Sequence, residues 1–285
     1  MSTTKLTSAD KRRLVQKIVG RYKAIPQDKP LAIFAAGIPG SGKTEFLDRL
    51  FKLELSFVRI DLDEIVKIIP GYTAATYYEF RGAATVILDE LFRYCRKHRL
   101  NFVLDGTFGH KYAVDNIEKA VKHHEVTIFY IWKNPVSSWQ LTKDREEVTK
   151  RAIKRTGFIE ACINVPKNLQ KVRKNFGDQI TIIAIKKNDS DYSFEVIRDT
   201  KNIDELLLKN YTVVELEKDI LWIYYLEPRK LLLKRLKKKS WVIVQLKKLQ
   251  NNQLKIRRSF LDRLQSYVLK LCLHSLVGWE ADKAI

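Results

Sequence analysis

Apolar and polar positions in this chain switch repeatedly between a continuous pattern and a helical one. Leu31 to Ala36 is an unbroken apolar run, preceded by Pro26 and Pro30 and followed by Gly37. A short apolar run between turn formers predicts a strand buried on both faces. Phe57–Ile60, Asn101–Leu104, Val126–Trp132 and Ile180–Ile185 read the same way. Between them apolar residues recur at spacings of three and four. This predicts helices over Glu45–Phe51, Tyr77–Lys97, the stretch containing Ile117–Lys122, residues 137–150 and residues 166–175. A leading helix over 8–23 has Ser8 as its cap and Leu14, Ile18 and Val19 as its apolar stripe. Strands alternating with helices predict an α/β fold, with a mostly parallel sheet covered on both faces. Phe194–Ile197 reads as an edge strand, and 203–220 as a helix packing through Ile203, Leu206, Leu207, Val214 and Leu216. No internal repeat is visible.

Composition changes this picture mainly at the carboxyl end. The chain has 285 residues, enough for a sizeable core, and a formal net charge of +20. Residues 221–285 carry 15 Lys and Arg against 4 Asp and Glu, including the block KRLKKKS. The excess charge therefore describes a tail more than a site. Residues 241–273 combine helical apolar spacing with positive charge, as in a partner-binding or membrane-surface helix. Trp222, Tyr224, Tyr225 and Trp241 interleave with the charges, but such aromatics are more often half-buried core than a stacking platform for bases, so nucleic acid is not the expected partner. The expected division is an N-terminal helical segment (1–28), a central domain (29–200) and a basic helical extension (201–285). No apolar run reaches membrane-spanning length, and the N-terminus lacks the apolar stretch of a secretory signal. Cys95, Cys162 and Cys272 have no metal-ligand spacing and suit a reducing compartment, so a cytoplasmic location is expected.

The chemistry begins at residues 37–44, Gly-Ile-Pro-Gly-Ser-Gly-Lys-Thr, directly after the first strand. The spacing fits G-x-x-x-x-G-K-[ST], a phosphate-binding loop. In such a loop backbone N–H groups from Gly37, Pro39–Ser41 and Gly42 onward surround the phosphates, apart from the proline, which shapes the turn. Lys43 reaches the terminal phosphates, and Thr44 offers its hydroxyl to Mg²⁺. ATP or GTP with Mg²⁺ is the implied cofactor set, on a P-loop kinase-like sheet.

Carboxylates follow at the ends of the next two strands. Asp61 and Asp63 follow Phe57–Ile60, and Asp105-Gly106-Thr107 follows the third strand. Parallel α/β proteins bind ligands beyond the carboxyl ends of their strands. One of the pair after strand two can orient water around Mg²⁺, and the other can accept a proton from an attacking hydroxyl. Residues two apart on a continuing strand face opposite ways, so the two are expected to differ in role. Asp63 has capping of the next helix as its alternative. Asp105 and Thr107 suit substrate hydroxyls, with a strand-end turn as the plainer reading. His110 and Lys111, just beyond, border the same place. Within TKDREEVTKRAIKRTGFI, Arg145 and Arg151 suit a lid that neutralises a transferring phosphoryl group; a basic surface helix laced with Glu146 and Glu147 is the alternative.

Taken in order, GIPGSGKT, IDLDE, LDGT, TKDREEVTKR, the Gly-Phe-Ile of 157–159 and a late strand leading into Lys187-Asn188 resemble the zeta toxin family from about residue 29 to 190. The resemblance implies a P-loop kinase that uses ATP or GTP and Mg²⁺ to phosphorylate the 3′-hydroxyl of the sugar in UDP-N-acetylglucosamine. It implies a toxin of a toxin–antitoxin pair, with an antitoxin protein blocking the nucleotide cleft. By residue-level match it implies Lys43 as the loop lysine, Thr44 as the Mg²⁺ hydroxyl and Asp63 as base, which leaves Asp61 to hold the metal through water. Arg145 and Arg151 become phosphate clamps, Asp105 and Thr107 sugar contacts, and Asp89 the counterpart of a substrate-binding glutamate. Two departures stand out. Asp105 occupies a position that is often Glu. Lys150-Arg151-Ala152-Ile153-Lys154 lacks the Gly and Pro that often flank the second arginine, which leaves Arg155 as a competitor for Arg151. A kinase for a nucleoside or a polynucleotide end, or a nucleotide-binding interaction protein without catalysis, are the rival readings.

Overall fold

The computed structural model describes residues 6–51, 56–73, 76–149, 152–188, 194–198, 200–208 and 211–220. Its contacts divide the chain into two units, Met1–Tyr211 and Thr212–Ile285.

The first unit is built on a six-stranded sheet of order β2-β3-β1-β4-β5-β6. The strands are β1 (Leu31–Ala36), β2 (Val58–Asp61), β3 (Phe102–Asp105), β4 (Glu125–Trp132), β5 (Ile180–Lys187) and β6 (Phe194–Ile197). All neighbours run parallel except β5 and β6, which are antiparallel. Both the parallel sheet and the edge strand are as the apolar runs predict. Every residue of β1 is buried, as expected for a central strand covered on both faces.

The helices are α1 (Ser8–Val19), α2 (Lys43–Phe51), α3 (Leu62–Lys67), α4 (Tyr77–Lys97), α5 (Ala113–Val121), α6 (Pro135–Thr149), α7 (Arg155–Phe176) and α8 (Thr200–Leu207). One sheet face, carrying Phe34, Ile60, Phe102 and Ile128, packs against α1, α4, α5, α7 and α8 in a continuous core. Phe34 meets Phe92, Phe102 and Phe108 edge-on at 5.9–6.4 Å between centroids. Each such pair adds about 0.5–1.5 kcal/mol beyond area burial. On the other face Phe46 of α2 packs on Phe129 of β4 at 5.4 Å, and Trp139 of α6 packs on Phe158 of α7 at 4.9 Å.

Several boundaries differ from the sequence reading for identifiable reasons. The cap of α1 is Thr7, not Ser8: its hydroxyl accepts from the Asp10 N–H at 3.1 Å, and the Asp10 carboxylate accepts from the Thr7 N–H at 3.0 Å. This reciprocal pairing satisfies two otherwise orphaned donors. The last predicted helix of the domain is α7, and it starts eleven residues before Pro166, at Arg155. Burial of Phe158, Ile159, Cys162 and Val165 carries the helix through the proline. The stretch 203–220 is two helices: α8 ends at Leu207, and a second covers 213–220 in the other unit. That second helix has its own capping box between Thr212 and Glu215. Residues 221–285, where the basic helical tail is expected, lie outside the described residues. Among the described residues no helix is long and apolar enough to cross a membrane.

The amino ends of the strands are tied together by polar groups. Asn101 accepts from the Leu31 N–H through Oδ1 at 2.8 Å and from the Val58 N–H through its backbone carbonyl at 2.9 Å. His124 Nε2 lies 3.1 Å from the Leu100 carbonyl. These ties hold β1, β2, β3 and β4 in register, and the register brings Asp61 beside Asp105 at the opposite end.

Candidate active site

Glycine makes the phosphate loop geometrically possible. Gly37, Gly40 and Gly42 have φ of 149°, 78° and 92°. Gly40 is the most constrained: a Cβ there would run into the Ser138 carbonyl and lie 2.6 Å from Thr142 Oγ1, both on α6. The loop is also tied to β3, because the Gly37 N–H donates to the Thr107 carbonyl at 3.0 Å. Ser41 is fully buried behind the loop. Lys43, the first residue of α2, folds back so that Nζ donates to the Ile38 carbonyl at 2.8 Å. It is 8% exposed. Burial lowers its ammonium pKa to about 8; Arg145 pushes the same way and Asp105 opposes. Thr44, one residue on, is exposed.

The acidic residues meet this loop from β2 and β3. Asp61 ends β2 and caps α3, its Oδ1 accepting the Asp63 N–H at 2.8 Å. Capping therefore falls to Asp61, not to Asp63 as the alternative reading had it. The strand stops at Asp61, so Asp63 lies in the first turn of α3 and the opposite-face argument for a continuing strand does not apply. Burial raises the Asp61 carboxyl to about 6, helped by neighbouring Asp105. Asp63 is held differently: the Tyr77 hydroxyl at the start of α4 donates to its Oδ1 at 2.8 Å.

Asp105 ends β3 with its side chain only 6% exposed and paired to Arg59 Nη2 at 2.7 Å. Arg59 also pairs with Asp48 of α2 and lies 3.9 Å from Asp61 Oδ2. Burial works against the guanidinium's charge, but the Asp48 and Asp105 contacts outweigh it and hold the group protonated. Arg59, Tyr77 and Asp48 are site residues that sequence reasoning missed. The available signal for Arg59 was an arginine inside an otherwise apolar strand, FVRID. For Tyr77 there was none, because its partner is fourteen residues away across a turn.

Thr44, Asp48, Arg59 and Arg145 line a cleft of about 830 Å³ bordered by the aromatic rings of Tyr22 and Phe57. That is ample for a small-molecule substrate. Thr44 and Arg145 are the predicted site residues on the cleft wall; Lys43, Asp61, Asp63, Asp105 and Thr107 are gathered beside the phosphate loop at the same end of the sheet, through the Asp61–Asp105 register, the Gly37–Thr107 bond and the electrostatic reach of Lys43 to Asp105 and Arg145. Thr107 Oγ1 also accepts from the Gly109 N–H at 3.3 Å. Asp89 is exposed on α4, with Lys119 and His110 as its charged neighbours, and stands roughly 18 Å along the helix from Tyr77. Arg151 lies outside the described residues; Arg155 is the exposed first residue of α7.

The model of the family described as zeta toxin matches residues 15–197. The chain belongs to the zeta toxin family. It carries that family's P-loop kinase domain and is a phosphotransferase by family and fold. The zeta toxin match includes every gathered residue and takes in the last five residues of α1. Among solved structures, that of the PezAT chromosomal toxin–antitoxin system of the human pathogen Streptococcus pneumoniae is 19% identical, with a TM-score of 0.54, over 78% of this chain and 96% of that one. The AvrRxo1-ORF1:AvrRxo1-ORF2 structure with sulphate ions is 12% identical, with a TM-score of 0.56, over 75% and 81%. The same pair with ATP gives 12%, 0.55, 75% and 81%. At these identities the likeness is one of fold. No curated protein matches the chain.

Proposed function

We propose that this chain uses ATP or GTP to phosphorylate the 3′-hydroxyl of the amino sugar in UDP-N-acetylglucosamine, as the toxin of a toxin–antitoxin pair. The observation that carries a kinase reaction is a buried Lys43 in electrostatic reach of Asp105 and Arg145, with Asp61 and Asp63 beside Asp105 at the end of the next strand. The sugar nucleotide rests on the family resemblance.

In this reading nucleotide phosphates lie on residues 37–44, and Lys43 and Arg145 bear on the γ-phosphoryl group. The sugar hydroxyl faces Asp63. Its oxygen forms the new bond to the γ-phosphorus as the bond to the β-γ bridging oxygen breaks. The hydroxyl proton passes to the Asp63 carboxylate, and the nucleoside diphosphate leaves. Tyr77 keeps Asp63 aimed, and Asp105, held by Arg59, receives another sugar hydroxyl with Thr107. The exposed Thr44 hydroxyl and the Asp61 carboxylate are hard oxygen donors that suit Mg²⁺, which would neutralise phosphate charge. The rate gain comes from positioning and electrostatics, since phosphoryl transfer leaves the protein little covalent work. Arg151, or Arg155 in its place, supplies the second clamp. An antitoxin partner would act by covering the cleft. PezAT is a toxin–antitoxin system and AvrRxo1-ORF1 is paired with AvrRxo1-ORF2, which supports looking for a protein partner here.

The test is transfer of label from γ-labelled ATP in Mg²⁺ to a panel of UDP-N-acetylglucosamine, nucleosides and 5′-hydroxyl oligonucleotides, with Asp63→Asn alongside. Label on the amino-sugar nucleotide, reduced at least about a hundredfold in the variant, is the expected result. Label on another acceptor sinks the sugar assignment and keeps the kinase. Equal transfer by Asp63→Asn removes Asp63 as base.

A further inference from the structure

Lys187, the last residue of β5, buries its side chain to 5% exposure against the first turn of α2. Its Nζ donates to Glu45 Oε2 at 2.7 Å. It also lies 2.9 Å from the point where a Cβ would stand on Gly42, and Glu45 Oε2 lies 3.6 Å from the same point. An ammonium and a carboxylate therefore flank the last glycine of the phosphate loop, immediately before Lys43. Arg49 holds the other Glu45 oxygen, Oε1, at 2.7 Å, one turn further along α2. The Phe194 ring of β6 packs under both cations, 5.3 Å from Lys187 Nζ and 5.8 Å from the Arg49 guanidinium carbon.

A glutamate in the first turn favours the helix itself, because its charge opposes the helix dipole. Beside a phosphate loop the same charge is a liability. Nucleotide phosphates need that helix end electropositive, and a bare carboxylate two residues from Lys43 repels them. We propose that Lys187 is a positioning residue for nucleotide binding, whose buried ammonium neutralises Glu45 and keeps the mouth of the phosphate loop electropositive. Residue 42 must then be glycine for two reasons: its φ of 92° and the space that Lys187 fills. The inference rests on the phosphate loop binding nucleotide and is independent of the acceptor and of Asp63.

The experiment is calorimetric binding of Mg·ATP to the full chain and to Lys187→Met, Glu45→Gln and the double variant, with thermal unfolding of each. Lys187→Met keeps the apolar stem and removes the buried ammonium from Glu45, whose Oε1 still meets Arg49. It should weaken ATP binding about tenfold, an effect that shrinks as salt is raised. Glu45→Gln should bind ATP about threefold tighter than the parent chain, since Lys187 then acts on the phosphates unopposed. The double variant should return to within about threefold of the parent. A packing role predicts the reverse, a double variant no better than Lys187→Met, and that result overturns the proposal. So does a Glu45→Gln protein that binds ATP no more tightly, a comparison that stands even if Lys187→Met does not fold. A parent chain that fails to bind ATP overturns the kinase reading and this inference with it. Binding by the parent with no charge reversal among the variants overturns this inference alone.

Discussion

Replacing His124 with glutamine should remove a large part of the acid sensitivity of this fold. His124 is 6% exposed and precedes β4, with Nε2 3.1 Å from the Leu100 carbonyl and its ring 5.1 Å from Phe102. The carbonyl can only accept, so the neutral ring carries its proton on Nε2 and donates. Nδ1 is buried without a hydrogen-bond partner. Burial lowers the imidazole pKa to about 4; His123, Arg96 and Arg99 push the same way, and the Leu100 contact opposes. In the unfolded chain the value returns to about 6.5. A base whose folded pKa is depressed is fully stabilising above its unfolded pKa. It loses that contribution as pH falls from about 6.5 to about 4, where the unfolded chain takes up the proton first. At pH 5 the loss is about 2 kcal/mol relative to pH 7.5, and near pH 4 about 3 kcal/mol. Glutamine can still donate to Leu100 but does not titrate. Urea unfolding of both proteins at pH 7.5 and pH 5.0 gives the comparison directly. The parent should lose about 2 kcal/mol more than the variant. Asp61, raised to about 6, contributes with the opposite sign but equally in both proteins, so it cancels. Losses equal to within about 0.5 kcal/mol would refute a neutral buried imidazole.

Three further substitutions test the site and its scaffold. Gly40→Ala forces a Cβ onto the Ser138 carbonyl at a φ of 78° and should cost about 2–4 kcal/mol in urea unfolding and abolish ATP binding. Gly82→Ala, on α4 with nothing within 4 Å of the new methyl, should instead stabilise by about 0.5–1 kcal/mol. Tyr77→Phe removes the hydroxyl that donates to Asp63 and should lower kcat about tenfold while KM for ATP changes less than about twofold. A shift in the ATP KM with kcat intact would place Tyr77 in nucleotide binding instead.

What was legible in the sequence follows from the range of the forces involved. The run Leu31–Ala36 and the loop after it could be read because a buried parallel strand and a glycine-rich turn are specified by adjacent residues. The first half of α7 was hidden, because Gly157 and Pro166 read as punctuation while the burial that overrides them is tertiary. Thr7 and Ser8 are both good caps, and only the reciprocal Asp10 contact selects Thr7. Asp89 sits on α4 within electrostatic reach of Lys119 and His110, partners 30 and 21 residues away that helix periodicity does not specify. Arg59 and Lys187 act through partners 46 and 142 residues away, which local pattern does not encode.

The three site aspartates are held by three different groups, and this decides how their substitutions can be interpreted. Asp61 holds backbone: its oxygen fixes the first turn of α3, and losing such a cap costs about 1 kcal/mol whatever the chemistry. Asp105 holds a guanidinium, and stripping it leaves Arg59 leaning on Asp48 alone at short range. Asp63 takes a phenol hydroxyl from Tyr77, a contact that asparagine can keep through its own carbonyl oxygen. A drop in turnover on changing Asp61 or Asp105 therefore mixes lost chemistry with a shifted scaffold. The same drop for Asp63→Asn is easier to interpret, because shape and the Tyr77 contact survive and what is lost is the proton acceptor together with its negative charge.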